Sequence, residues 1–289
     1  MPRRPFVDTH VHFNDMSHPE LRWTWLEAGQ GHPLIANPEG YKHLRFTAQE
    51  LAGEVRFSNV QKVVHVQAAL GTDDPVAESV WLSEMAERTG WPNAIVGQAF
   101  LAASDVDTVL ARHAELPLVR GVRDLRGVER LTEPAFERGY RRLAAHGLMI
   151  ALAPSWEQMP AAASLAAAHP ETVLVIEHTG MPLERGSDYF ARWRSELTNL
   201  ARLDNVIVKI SGLGMTDPQW TTDTLRPWVD ATIEAFGTDR CMFGTNWPVD
   251  RLFSSYTDLV DAYAELTSDL SDPEQDALFH GNATRWFDL

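Results

Sequence analysis

FVDTHVHF, residues 6–13, is a short apolar run that ends in two histidines, His10 and His12, two positions apart. Side chains alternate faces along a strand, so a strand here sends both imidazoles the same way. Two imidazoles side by side at a strand end can ligand one metal ion or bracket one polar group of a substrate. The chain beyond this run repeats strand and helix to its end. In α/β barrels the chemistry collects at the C-terminal ends of the strands, which is where this pair falls.

Seven further apolar, β-branched runs follow: 60–69, 94–100, 117–125, 147–154, 172–180, 205–213 and 240–248. Segments of helical character separate them, among them 75–90, 134–146, 159–170 and 189–203. In the first of these Val76, Val80 and Met85 fall near one face. Eight strand–helix units predict a parallel sheet closed into a single (β/α)8 TIM barrel. An open doubly wound sheet is the alternative, but no G-x-G-x-x-G follows any strand. Thr47 with Glu50, and Ser271 with Glu274, have capping-box spacing; Pro273 sits in the first turn of the second. The closing LFHGNATRWFDL reads as a helix and tail packed on the barrel. No linker or low-complexity segment interrupts residues 1–289, which are read as one domain.

Composition narrows the class. The chain has 289 residues, 25 basic and 40 acidic, for a net charge of −15. That balance argues against a polyanionic partner such as nucleic acid. Cys241 is the single cysteine, so no internal disulfide and no cysteine-based zinc site can form. No signal-like apolar core and no apolar run long enough to span a bilayer is present. A cytoplasmic enzyme is expected, acting on a small molecule away from membranes; symmetry statistics favour a homodimer.

One connection is abnormally long. Between the first two strands, residues 16–46 carry little periodicity and hold Trp23, Trp25, His32, Tyr41 and His43. Such long loops are usually lids or insertions. In a barrel this one lies at the same end as His10 and His12, so it is expected over the mouth, with Trp23 or Trp25 lining the pocket.

Nucleophile elbows, H-E-x-x-H helices and Walker A loops are absent. The remaining candidates are polar residues at strand ends. His65 and Gln67 share a face of the second strand. The fourth carries Arg120, Arg123 and Asp124, with Arg126 just beyond. Glu177 and His178 end the sixth. Lys209 and Ser211 share a face of the seventh; a lysine inside VIVKISG is costly to bury unpaired, so it reaches a carboxylate or the pocket. Asn246 ends the eighth, followed by Trp247, Asp250 and Arg251. Trp156 and Gln158 are rim candidates. His113, His146 and His169 fall on helices or their ends and are expected at the surface.

VDTHVH, VRGVRDL, VIEHTGMP, VKISGL, MFGTNWPVD and GNATRWF, in that order, carry a resemblance. The chain resembles the amidohydrolase superfamily. More narrowly, it is similar to the amidohydrolase-related branch of TIM-barrel hydrolases that holds sugar-lactone and 2-pyrone-4,6-dicarboxylate lactone hydrolases. The resemblance implies first-strand histidines at His10 and His12, a sixth-strand histidine at His178, and a carboxylate-holding arginine at Arg123. The eighth strand departs from the pattern. Family members commonly have aspartate, the general base and a metal ligand in metal-dependent relatives, where this chain has Asn246.

Asparagine cannot take a proton near neutral pH, and its carbonyl is a poor zinc ligand. His10, His12 and His178 are therefore the expected ligands of any metal, and the cofactor is none or one weakly held divalent ion, zinc first. The base passes to His178 or Asp250. Arg123, Lys209, Gln67, Trp25 and Trp247 are the expected substrate contacts, and the cations among the mouth residues point to an anionic substrate. The activity implied is opening of a carboxylated or hydroxylated lactone by activated water. A metal-dependent decarboxylase of an aromatic or muconate-like acid, and a non-catalytic binding protein, are the alternatives.

Overall fold

The computed structural model describes residues 3–30, 39, 42 and 44–289. Eight parallel strands follow one another around a barrel: β1 (Phe6–Val11), β2 (Val60–Val66), β3 (Ala94–Gln98), β4 (Val119–Arg123), β5 (Met149–Leu152), β6 (Leu174–Ile176), β7 (Val206–Ile210) and β8 (Cys241–Phe243). Each pairs with its sequence neighbour, as right-handed crossovers through outer helices require. The seam between β8 and β1 is closed by the bridge of Val11 with Trp247 and by His12 N–H donating to Trp247 O at 2.8 Å. Asp8 reinforces it, accepting from Thr245 Oγ1 at 2.6 Å and Tyr256 Oη at 2.8 Å.

Inward-facing Val7, Val64, Val96, Met149, Val175, Ile207 and Met242 fill the barrel. Ala283 and Phe287 join this inner cluster from the C-terminal helix Asn282–Phe287. Asn282 fastens that helix by donating to Thr238 O and Cys241 O. The outward faces pack under the helices α1 (Ala48–Glu54), α2 (Ala77–Thr89), α3 (Val106–Ala114), α4 (Pro134–Ala145), α5 (Met159–Ala168), α6 (Ser187–Ala201), α7 (Thr222–Phe236) and α8 (Tyr256–Leu266). Both expected capping boxes are present, at Thr47 with Glu50 and at Ser271 with Glu274. On α2, Val76 and Met85 are buried, but Val80 is 41 % exposed; Leu82 takes the core position instead. The surface expectation fails for two histidines. His113 is fully buried with Nε2 on Gln98 O at 2.8 Å, and His169 is buried too; Gln98 O, on β3, offers a helix-borne imidazole an inward partner.

The β1–α1 connection begins with a two-residue antiparallel ladder, Asn14–Asp15 against Arg45–Phe46. This ladder ties the base of the long loop at the C-terminal end of the barrel. Trp23 is fully buried, donating from Nε1 to Phe13 O and edge-on to Trp81. Trp25 donates to Ala68 O at 2.7 Å. His32, Tyr41 and His43 lie outside the described residues. No helix among the described residues is long and apolar enough to cross a membrane.

Candidate active site

A cavity of about 420 Å³ opens at the C-terminal ends of the strands. Five strand ends contribute polar lining: His12 after β1, Gln67 after β2, Arg123 on β4, His178 after β6 and Asn246 after β8; Arg126 and Glu129, beyond β4, add to it. Trp25 of the long loop lines it as well, its ring 6.3 Å from that of His12.

Two of these residues sit on unusual backbone. His178, Thr179 and Met181 all have positive φ, at 52°, 53° and 46°, and Gly180 between them is at 69°. Asn246 is at 58°. L-residues enter this region at a cost, so such positions concentrate where a side chain must be aimed. The left-handed run turns His178 back over the barrel. Gly212, itself at φ 62°, lies so close that a Cβ there would meet His178 Nδ1 at 2.5 Å. Ser211 Oγ holds that same nitrogen at 2.9 Å.

The imidazoles form a chain. His12 Nδ1 is 2.8 Å from Val66 O. A carbonyl only accepts, so His12 carries its proton on Nδ1 and turns a bare Nε2 to His10 Nε2, 3.1 Å away. His10 then donates from Nε2, and its Nδ1 is left without a hydrogen-bond partner, 3.6 Å from Glu177 Oε1. Burial, then the neighbouring cations and imidazoles, hold His10 and His178 well below the ordinary histidine range. Burial likewise pushes His12 down to about 3. All three are neutral lone-pair bearers at neutral pH.

Glu177 sits beneath them, fully buried between cations. Arg123 Nε lies 2.9 Å from Oε2, and Lys209 Nζ lies 3.9 Å from Oε1. Lys209 takes the carboxylate alternative expected for it. It is fully buried with Nζ 5.2 Å from the Phe287 ring centre, and burial lowers it to about 8. Asn246 donates from Nδ2 to Asp250 Oδ1 at 2.8 Å, and burial raises Asp250 to about 7.

The Amidohydrolase family model matches residues 7–289. The chain belongs to the amidohydrolase family. This amidohydrolase is 31 % identical to an L-fucono-1,5-lactonase of Burkholderia multivorans over 305 residues, covering 98 % of this chain and 96 % of that one. It is 32 % identical over 293 residues to a Sinorhizobium fredii protein with no activity in its name, covering 97 % of each. Among solved structures, an amidohydrolase of Burkholderia multivorans with bound zinc superposes at TM-score 0.83 with 26 % identity, over 99 % of this chain and all of the other.

The family's enzymes are typically metal-dependent, so the residues of this amidohydrolase can be tested against a divalent ion. Among the described residues the compact set of ligand atoms is His10, Glu177 and His178, all within 4.8 Å of one another. The three-histidine set expected from sequence is not the compact one, although His12 Nε2 lies 3.1 Å from His10 Nε2. Glu177 takes the place of His12. The bare His10 Nδ1 is buried without a hydrogen bond, and the Glu177 oxygen that faces it, Oε1, has only the Lys209 ammonium at 3.9 Å besides. Two lone-pair bearers facing each other with no proton between them suit a cation, and two histidines with a glutamate form a zinc-type donor set. The residues present fit the ion.

Four expected contacts fall elsewhere. Lys209 lies below the cavity, as described. Trp247 is buried with Nε1 on Glu54 Oε2 at 2.7 Å and its ring against Tyr256, because the seam bridge turns its side chain outward. Asp250 is screened from the cavity by Asn246. Arg251 pairs with Glu54 over the Phe46 ring, so it is not part of a cationic mouth. Arg126 does line the cavity, paired at 3.5 Å with Glu129. His65 packs behind the cavity on Phe13 and Glu78, and Gln158 caps its own turn at Ser155. Glu177 and Gly212 had no role assigned in the sequence reading. An acidic residue directly before a strand-end histidine was the available signal for the first.

Proposed function

We propose that this amidohydrolase opens a lactone bearing a carboxylate, by attack of water on the ring carbonyl. The observation that carries the reading is Arg123. Its Nε pairs with Glu177 at 2.9 Å, and the residue lines a cavity that also receives His12, His178 and Asn246. A guanidinium presented this way suits a bidentate bond to a carboxylate. Similarity to a lactonase across nearly the whole chain supports the choice of bond.

In this reading the substrate carboxylate lies on Arg123, with the ring carbonyl beside it, its oxygen toward the remaining guanidinium N–H groups and its carbon toward His178. His178, with Nδ1 braced by Ser211, uses Nε2 to take a proton from water as the water oxygen bonds to the carbonyl carbon. The tetrahedral oxyanion is met by the Arg123 guanidinium. The ring C–O bond then breaks, and the departing oxygen takes the proton back from His178. Asn246 accepts no proton. Held through its amide nitrogen by Asp250, it turns its carbonyl oxygen to the cavity and orients a hydroxyl or water. A divalent ion held by His10, Glu177 and the His178 Nε2 would occupy the lone pair that otherwise takes the proton, and would itself supply the activation by polarising the carbonyl or acidifying water.

The test is turnover of a panel of carboxylated and neutral lactones by the purified protein, before and after zinc loading. Hydrolysis of carboxylated members in preference to neutral ones supports the reading. Absence of turnover across the panel in both states overturns it.

A further inference from the structure

The cavity is two-sided, and its second side names a substrate class; the argument rests on the lactone reading above. Trp25, Leu70, Leu125, Met181, Met215 and Val249 make up most of the lining away from the histidines. Trp25, Met181, Met215 and Val249 belong to one apolar cluster that runs from the long loop to the turns after β6, β7 and β8. The polar donors near this wall are largely engaged by the protein itself, while the carbonyl oxygens of Gln67 and Asn246 stay open. Trp25 Nε1 donates to Ala68 O, Gln67 Nε2 to Gln98 Oε1 and Asn246 Nδ2 to Asp250. At the rim, Arg126 and Glu129 pair with each other.

Among the described residues a polyhydroxylated ring placed here would meet the carbonyl oxygens of Gln67 and Asn246 and set its remaining hydroxyls against the apolar wall. Each hydroxyl buried unpaired weakens binding at least about fivefold. Each methylene buried on such a wall strengthens it about fourfold. We infer that the substrate is a carboxylated lactone bearing an alkyl or aryl substituent, with the anionic group on Arg123 and the apolar part against Trp25, Leu125 and Met181, and that sugar lactones are poor substrates. The function named for the Burkholderia relative therefore does not transfer in its substrate.

A charge-matched pair decides it. One member is D-glucaro-1,4-lactone; the other is a phenyl-substituted 5-oxotetrahydrofuran-2-carboxylate. Calorimetry on their ring-opened acids, glucarate and phenyl-substituted 2-hydroxyglutarate, reads the cavity without needing turnover. The aryl acid is expected to bind at least about 30-fold tighter, since one ring buries several carbons. The aryl lactone is expected to show a similar advantage in kcat/KM. Leu125→Ser, at a half-exposed side chain that tolerates change, is expected to shrink both ratios at least about threefold. Equal or tighter binding of glucarate, or ratios that Leu125→Ser leaves unmoved, would overturn the inference. If neither lactone is opened, the lactone reading fails, while the two acid affinities still decide the class of ligand.

Discussion

The Asn246 side chain donates to Asp250 Oδ1 at 2.8 Å, and that carboxyl is buried behind it. The relationship fixes the amide's orientation and removes Asp250 from the cavity. It also makes a prediction about stability. Burial raises Asp250 to about 7, while an unfolded aspartate titrates near 4. Between those values the unfolded chain binds fewer protons than the folded one. The contribution of this group is whole below about pH 4 and is lost as pH rises through about 7. Asp250→Asn should abolish that decline. The stability of the variant relative to the parent should climb by up to about 4 kcal/mol from pH 4 to pH 8, read by urea unfolding across pH. Parallel curves would return Asp250 to an ordinary carboxylate.

Arg123 has a double role, bracing Glu177 and facing the cavity. Arg123→Ala should lower kcat/KM for carboxylated lactones at least about 30-fold, because a lost charge-assisted contact costs about 2–5 kcal/mol. Removing it also leaves Glu177 with Lys209 alone, which affects every substrate. The ratio of charged to neutral substrates cancels that shared loss. A ratio equal to that of the parent would remove Arg123 from carboxylate binding.

Gly212 leaves no room for a side chain. Its φ is 62°, and a Cβ would press on the His178 ring. Gly212→Ala should cut kcat at least about tenfold, which is about 1.4 kcal/mol of misplaced imidazole. Substrate affinity on Arg123 should change little. Unaltered kcat would mean that His178 need not hold its observed position.

Metal binding gives two opposed variants. Glu177→Gln removes the negative ligand of the compact set and should weaken zinc at least about tenfold. Asn246→Asp adds a carboxylate beside His12 and should strengthen it by a comparable factor. Competition with a chromophoric chelator measures both. Zinc affinity indifferent to Glu177 would exclude it as a ligand.

The order of the eight strands was legible in the sequence, because each carries a short apolar run and helix-like segments separate them. Strand-end placement singled out His12, Gln67, Arg123, His178 and Asn246, all of which meet at one cavity. Side-chain direction past the strand ends was not legible. Whether Trp247 faces the cavity or the outer shell depends on the seam pairing with Val11, and strand 8 meets strand 1 only once the barrel closes. Whether Lys209 reaches substrate or a buried carboxylate depends on Glu177 from the neighbouring strand. The burial of His113 depends on a carbonyl of β3. Sequence by itself determined the fold and the residue types at the mouth, since both follow from local periodicity and topology. Tertiary structure alone decided which polar atoms remain free to act, because a buried donor or acceptor is claimed by whichever partner the closed barrel brings within about 3 Å.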